Sequence, residues 1–234
     1  MKFSIARQNL DKGIQRVLAV ISPKTTLPVL ANFLVRADGK KKSITLTATD
    51  LDMTVTTEVD AQVEEGGGVT LPPQRFAEIV RELGDTDIEL SAEGEEIGIS
   101  AGRSNFKIVG IPEEEFPSLP KSDPASAFSV DGAALADMVE KVSFCISRDE
   151  TRPSLNGAYW EFSPDDMSMT ATDGHRLATI TVRGEFEVPA GKSLIVPPKA
   201  LGHVVRIIGT EGDGNVKVAV HENHLTFFIG ATTA

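Results

Sequence analysis

The chain repeats itself at a nearly constant distance, and this feature constrains its fold more than any other. Phe3-Ser4-Ile5 reappears as Phe128-Ser129-Val130, 125 residues later. Further matches follow in the same order, at Leu10/Leu135, Val17/Val142, Ile21/Ile146, Pro28/Pro153, Leu30/Leu155, Leu71/Val196, Val80/Val205 and Gly84/Gly209. Thr47–Asp50 matches Thr170–Asp173 at an offset of 123, and loops tolerate such length changes. Ordered matches of this kind indicate duplication, so the 234 residues are predicted to form two domains.

Each half contains two segments with helical periodicity. Asp131 is a predicted N-cap, and Pro72-Pro73 and Pro197-Pro198 are predicted to open the second helix of each half. The predicted apolar faces are Leu10, Ile14, Val17, Leu18 and Ile21; Phe76, Ile79, Val80 and Leu83; Leu135, Met138, Val139, Val142 and Ile146; and Leu201, Val204, Val205 and Ile208.

Other segments alternate between apolar and polar residues, as half-buried antiparallel strands do, for example 43–47, 97–100 and 106–109. The predicted fold class is therefore α+β, with two tandem duplicated domains in which two helices pack on one face of an antiparallel sheet. The prolines at 112, 117, 120 and 124 break regular structure where the halves join.

Composition limits the function classes. Lys and Arg number 23 against 34 Asp and Glu, a net charge of −11, so a protein basic over its whole surface is excluded and any basic surface must be local. Cys145 is the only cysteine, which leaves no intrachain disulfide and no cysteine zinc site. The N-terminal residues lack an apolar signal segment, and no run approaches the ~18 apolar residues of a membrane span. We expect a cytoplasmic protein without membrane contact.

Several segments together resemble the bacterial DNA polymerase III beta subunit, the sliding-clamp family. They are Met1-Lys2-Phe3, 26–30, 47–51, Glu115-Phe116-Pro117, Leu155-Asn156-Gly157 and 170–177. The resemblance implies DNA-clamp domains, three to a full-length chain, with two chains closed head to tail into a ring around duplex DNA and with helices lining the ring.

The resemblance divides this chain into clamp domain 1 at 1–118, a linker at 119–127 and clamp domain 2 at 128–234. We expect the third domain to be absent, and the second domain to lack the strand that would follow Gly230. A full-length chain is expected to form a ring homodimer. This chain is expected to be a monomer or a weak oligomer.

The four predicted helices carry a net charge of +2, which leaves −13 for the rest of the chain. This separation suits a protein that admits anionic duplex DNA without reading its sequence. The predicted DNA-contacting residues are Lys12, Arg16, Lys24, Arg75, Arg81, Arg148, Lys199 and Arg206. Without the resemblance, solvated helix faces are the competing interpretation.

The resemblance assigns a second site to an apolar cleft that takes short linear motifs of DNA polymerase III, the clamp loader and repair proteins. The implied residues are Arg152, Leu155, Thr172, Gly174, His175, Arg176 and Leu177. Without the resemblance, these residues would be read as a structural strand and turn.

No enzyme is predicted. Residues 173–176 place an acid, a histidine and an arginine in sequence, but neighbours on a strand point to opposite faces, so no catalytic pair is expected. Asp50 and Asp173 are predicted turn caps, and Cys145 and Trp160 predicted core residues. No cofactor or metal site is predicted. Two functions remain open: a DNA sliding clamp that acts as a processivity factor, and a tandem-domain peptide-binding module that does not encircle DNA.

Overall fold

The computed structural model describes residues 1–21, 25, 27–119, 123–149, 151–188, 191–211 and 214–234. The chain forms two compact units, Met1–Pro120 with Ala231–Ala234, and Lys121–Gly230. The predicted domain bounds differ from this division at the C-terminal end, because the last four residues belong with the first unit.

The first unit contains two helices between antiparallel strands. Its elements are β1 (Lys2–Ala6), α1 (Arg7–Leu18), β2 (Phe33–Asp38), β3 (Ser43–Thr49), β4 (Thr54–Asp60), β5 (Gln62–Glu65), β6 (Gly67–Leu71), α2 (Pro73–Glu82), β7 (Asp87–Glu93), β8 (Glu96–Ala101), β9 (Ser104–Val109) and β10 (Ile111–Pro112). One sheet has the order β5-β1-β7-β8-β9 and the other contains β10-β6-β2-β3-β4.

The second unit repeats this plan with fewer strands. Its elements are β11 (Phe128–Asp131), α3 (Gly132–Ser143), β12 (Ala158–Phe162), β13 (Asp166–Thr172), β14 (Leu177–Arg183), β15 (Lys192–Val196), α4 (Pro198–Glu211), β16 (Asn215–Val220) and β17 (Leu225–Ile229). One sheet has the order β14-β13-β12-β15, and β17-β16-β11 lie side by side in the other.

The helices pack through the predicted apolar faces. Leu10, Ile14 and Val17 of α1 are buried, and the helix contacts α2 and strands of both sheets of its unit, β1 on one side and β3 and β4 on the other. The predicted α+β fold class, with helices packed on antiparallel sheet, is confirmed, and the helix contacts add that strands of two sheets take part. Periodicity shows which face of a helix is buried, but it does not show how many sheets cover that face.

The helix ends follow the predicted chemistry in the second unit. Asp131 is the N-cap of α3, and its Oδ1 accepts a hydrogen bond from the backbone N–H of Ala134 at 2.8 Å. Proline stands in the first turn of both α2 and α4, where its missing N–H leaves no bond unmade. The predicted N-cap is confirmed.

A short strand, β18 (Thr232–Thr233), follows Gly230. It pairs antiparallel with β4, and the Thr232 hydroxyl donates to Oγ1 of buried Thr57 at 3.1 Å. The chain turns at Gly230 (φ 55°), and the two-residue strand that follows pairs within the first unit. The expectation that the second domain lacks its last strand stays a prediction.

β9 is one of the two edge strands of the five-stranded sheet, and β5 is the other. β9 exposes Phe106 and Val109, and only its β8 side is paired within that sheet. The outer edge of β9 therefore has no partner strand within that sheet. The expectation that this chain is a monomer or a weak oligomer stays a prediction.

Candidate functional site

The residues assigned to peptide binding are grouped around the turn between β13 and β14. Asp173 accepts hydrogen bonds at Oδ1 from the backbone N–H groups of Arg176 and His175, both at 3.0 Å, and at Oδ2 from Arg176 Nε at 2.9 Å. These bonds to the charged form, the backbone ones foremost, lower the pKa of Asp173 to about 2. Asp173 is therefore an ionised turn cap, as predicted.

Residues 173–176 do not continue the strand, so the premise used against a catalytic pair is wrong. They form a tight turn in which Gly174 has φ 89°. The Gly174 N–H donates to Thr172 Oγ1 at 3.1 Å, and the Thr172 hydroxyl donates to the Arg176 carbonyl at 2.8 Å. Asp173 and Arg176 are hydrogen-bonded to each other, and these bonds stabilise the turn.

A second loop lies against this turn. The Ser147 N–H donates to the Leu155 carbonyl at 3.0 Å, and Asp149 Oδ2 accepts from Arg152 Nε at 2.9 Å. The Thr151 hydroxyl and N–H, followed by Arg152, lower the pKa of Asp149. A Cβ atom on Gly174 would stand 3.6 Å from Arg152 Nη1. The structure thus places Arg152 beside Gly174 of the turn, with Leu155 in the same loop as Arg152.

Apolar side chains beside the turn are open to solvent. Leu177, the first residue of β14, is 64% exposed. Phe144, at the C-terminal end of α3, is 58% exposed, and Arg176 Cζ lies 5.6 Å from the centre of its ring. Sequence reasoning missed Phe144. Its position off the apolar stripe of α3 was the available signal, because an aromatic residue there cannot enter the helix core.

This surface combines exposed apolar side chains with a turn that its own hydrogen bonds hold. An exposed leucine, an aromatic ring and a rigid turn can anchor a short apolar segment, since a few buried anchors dominate such contacts. No group of three or more His, Cys, Asp or Glu in the described ranges could hold a metal ion. The residue types and their contacts favour recognition of a peptide.

The first unit contains the same turn in its repeat-equivalent position. The Leu51 N–H donates to Thr49 Oγ1 at 3.1 Å, and Asp50 Oδ1 accepts from the Met53 N–H at 2.8 Å. Leu51 has φ 78°, close to the 89° of Gly174. The two turns therefore have equivalent hydrogen bonds and a similar backbone conformation, and Asp50 caps its turn as predicted. They differ in that a leucine side chain, 61% exposed, stands where Gly174 leaves space.

The assigned cations of the first unit lie on the packed helices α1 and α2. Lys12, Arg75 and Arg81 are exposed. Arg16 is half-buried, and its Nη1 donates to Thr57 Oγ1 at 3.2 Å. Lys24 lies outside the described residues. The helix pair thus presents several cations from one unit.

In the second unit the assigned cations belong to α4 and to the segment after α3. Lys199 and Arg206 are exposed on α4, and Arg148 is exposed beyond the end of α3. Arg206 Nη2 donates to Nδ1 of buried His203 at 2.8 Å. Burial, followed by the charges of Arg206 and Lys199, lowers the pKa of His203 to about 4.

The observed helix bounds preserve the predicted charge separation. The four helices carry a net charge of +2, which leaves −13 for the rest of the chain. Phosphate contacts by Lys and Arg are electrostatic and independent of sequence. The helices are therefore the part of each unit that an anionic duplex would approach most favourably.

The lowered pKa of His203 predicts a pH dependence of stability. Between pH ~6.5 and ~4 the unfolded chain binds a proton that the folded chain does not, so the free energy of unfolding falls as pH falls through this window. The slope for one proton is at most about 1.4 kcal/mol per pH unit. Urea unfolding of wild type and His203→Leu at pH 7, 5.5 and 4.5 measures it. We expect the variant to lose less stability on acidification, and equal losses would contradict the assignment.

Comparison with known proteins identifies the family. A family model of the N-terminal domain of the DNA polymerase III beta subunit matches residues 1–120, and a model of its central domain matches residues 129–234. The chain is 36% identical over 208 residues to the beta sliding clamp of Chlamydia muridarum, covering 88% of this chain and 56% of that protein. It is 35% identical over 242 residues to that of Caulobacter vibrioides, covering 99% and 63%.

Solved structures agree with these matches. A C. crescentus beta sliding clamp crystallised with PEG superimposes with a TM-score of 0.92 at 34% identity, covering all of this chain and 63% of that one. A Pseudomonas aeruginosa clamp bound to griselimycin gives 0.89 at 30% identity, covering 100% and 63%. No helix among the described residues is long and apolar enough to cross a membrane. The chain spans less than two thirds of the length of these relatives, and it belongs to the DNA polymerase III beta subunit family, the bacterial sliding clamps.

Proposed function

We propose that this chain supplies the first two domains of a DNA sliding clamp, a processivity factor that encircles duplex DNA and tethers the replicative polymerase and repair proteins during DNA replication in the cytoplasm. The carrying observation is that the four helices carry a net charge of +2 while the rest of the chain carries −13. A clamp must hold DNA without arresting on any sequence, and phosphate contacts meet that need because they carry no sequence information. The proposed activity involves no catalysis.

Duplex binding at low salt tests the DNA contact. Fluorescence anisotropy with two unrelated 20-base-pair duplexes should give equal affinities, and both should weaken steeply as salt rises. A tandem-domain module that binds only peptides would leave the anisotropy of both duplexes unchanged.

The second part of the proposal is that the surface around the 172–177 turn binds short linear motifs of DNA polymerase III and of the clamp loader. Leu177 and Phe144 supply exposed apolar contacts, and Asp173 fixes the turn that presents them. Arg152 of the neighbouring loop lies beside Gly174, and Leu155 belongs to the same loop.

Replacing Leu177 by aspartate is expected to weaken peptide binding by about tenfold or more, because a carboxylate would be buried without a partner against an apolar anchor. The measurement is a titration of a labelled polymerase peptide with apolar anchors. Leu51→Asp is the matched control, since Leu51 is 61% exposed, close to the 64% of Leu177, and lies in the repeat-equivalent turn of the first unit. If Leu177→Asp and Leu51→Asp bind the peptide like wild type, the peptide docks elsewhere.

A further inference from the structure

His203 is a polar residue on the buried side of α4. It is 4% exposed, and the other buried residues of the helix are all apolar, namely Leu201, Val204, Ile207 and Ile208. An aliphatic side chain would fill this position without removing a polar ring from water. Packing therefore does not account for the histidine, and its polar contacts must.

The hydrogen bond to Arg206 determines the tautomer of the ring. An arginine side chain has only donors and stays protonated, so His203 Nδ1 must carry the lone pair that accepts from Arg206 Nη2 at 2.8 Å. The ring proton then resides on Nε2. That atom is buried and has no hydrogen-bond partner in the part of the chain that the structure describes. The one polar bond of the ring found there is thus directed at Arg206.

The ring keeps its accepting role at physiological pH. Burial opposes protonation, and the cations on either side along the helix, Lys199 four residues before and Arg206 three after, oppose it further. A neutral ring next to an exposed guanidinium accepts a hydrogen bond without neutralising the positive charge. A carboxylate in the same place would cancel the charge that DNA contact requires.

We propose that His203 is a positioning residue for Arg206, which it holds against α4 so that the guanidinium meets a phosphate of duplex DNA in a fixed orientation. This inference rests on the proposed DNA contact. With Nη2 bound to the ring, Nε and Nη1 keep donors for a phosphate oxygen. Fixing the side chain in advance reduces the conformational freedom lost on contact, which is how preorganisation raises affinity.

Four variants of the whole chain test the proposal: Arg206→Gln, His203→Leu, His203→Asn and the double variant Arg206→Gln/His203→Leu. We expect Arg206→Gln and His203→Leu each to weaken duplex affinity about threefold at low salt, in the range of one exposed ion pair. The double variant should bind no more weakly than Arg206→Gln alone, because both substitutions remove the same interaction, the oriented contact of Arg206 with DNA. His203→Asn, whose Oδ1 can replace Nδ1 as acceptor, should recover most of the affinity.

Thermal unfolding separates positioning from a structural role. His203→Leu replaces a half-satisfied polar ring by an apolar side chain, so we expect an unchanged or raised melting temperature together with weaker DNA binding. A purely structural histidine would lower both. In the wild type, nitrogen NMR should resolve separate Nη signals for Arg206 because rotation of its guanidinium is restricted.

Each contrary result has a distinct meaning. If Arg206→Gln weakens DNA binding and His203→Leu does not, the positioning role is wrong and the proposed DNA contact stands. Additive losses in the double variant, or a single averaged Nη signal for Arg206 in the wild type, would also overturn it. If Arg206→Gln itself leaves affinity unchanged, the DNA contact assigned to Arg206 fails and the inference fails with it.

Discussion

Replacing Lys12, Arg16, Lys199 and Arg206 together by alanine is expected to remove most of the duplex binding of this chain. The four side chains belong to α1 and α4, one helix from each unit. Each phosphate contact contributes about 0.9 to the slope of log affinity against log salt, so the slope should flatten by about 3.6. The change is measured by fluorescence anisotropy over about 50 to 200 mM salt, a range in which phosphate contacts make affinity strongly dependent on salt.

The control removes the same number of charges from other surfaces. Lys2, Lys41, Lys107 and Arg183 are exposed and lie on strands or turns. Their replacement by alanine changes the net charge equally but should leave the slope within about one contact of wild type. If both quadruple variants flatten the slope alike, DNA responds to net charge alone, and the helices are not its docking face.

The repeat is the part of the sequence that predicted most of the fold. Two matched halves, each with two apolar stripes at helical spacing, became two units with two helices each. Caps were equally readable, because a short acidic side chain at Asp131 or Asp50 has a local backbone donor as its partner. Local chemistry of this kind depends only on residues close in sequence.

Two features of the candidate site were not readable in this way. The polar residues of the 173–176 segment are compatible with the end of a strand and with a turn. The hydrogen bond that the Arg176 N–H donates to Asp173 Oδ1 shows that the segment is a turn. Phe144 follows α3 directly, within a run of residues that continues the helical pattern as far as Ile146. The position of Phe144 off the apolar stripe was a signal of exposure, but periodicity locates helix ends poorly, so it did not show that the ring stands at the end of α3 beside the turn.

Contacts between residues far apart in the sequence could not be predicted for a different reason. The Thr232 hydroxyl binds Thr57 across 175 positions, and many threonines could have been its partner. His203 is similar: its spacing from Arg206 is visible on a helix, but the burial that keeps the ring neutral comes from surrounding elements. Composition and periodicity predict which faces of an element are buried or exposed, whereas tertiary packing determines which polar groups form hydrogen bonds with each other.

The core of the second unit is organised around Trp160. Its side chain is fully buried on β12, with ring centres 4.7 Å from Phe162 and 6.1 Å from Phe227. β12 lies between β13 and β15 in the sheet whose edge strand β14 carries Leu177. The packing beneath Trp160 therefore supports the sheet that presents the proposed peptide surface.

Trp160→Ala is expected to destabilise the second unit by about 3–5 kcal/mol, because a large cavity would remain between rings that cannot close it. Tyr159→Ala is the matched control, since Tyr159 is 40% exposed on the opposite face of the same strand and should cost well under half as much. Hydrogen exchange measures both effects by region: Trp160→Ala should lower protection in β12 and β13 and leave β1 and β7 unchanged.

Trp160→Phe separates the effect of side-chain volume from that of polarity, because it removes a buried indole N–H that has no partner in the described residues and leaves a smaller cavity. We expect Trp160→Phe to lose less than half the stability lost by Trp160→Ala, and equal losses would contradict the cavity explanation, because Phe fills much of the volume that Ala leaves empty.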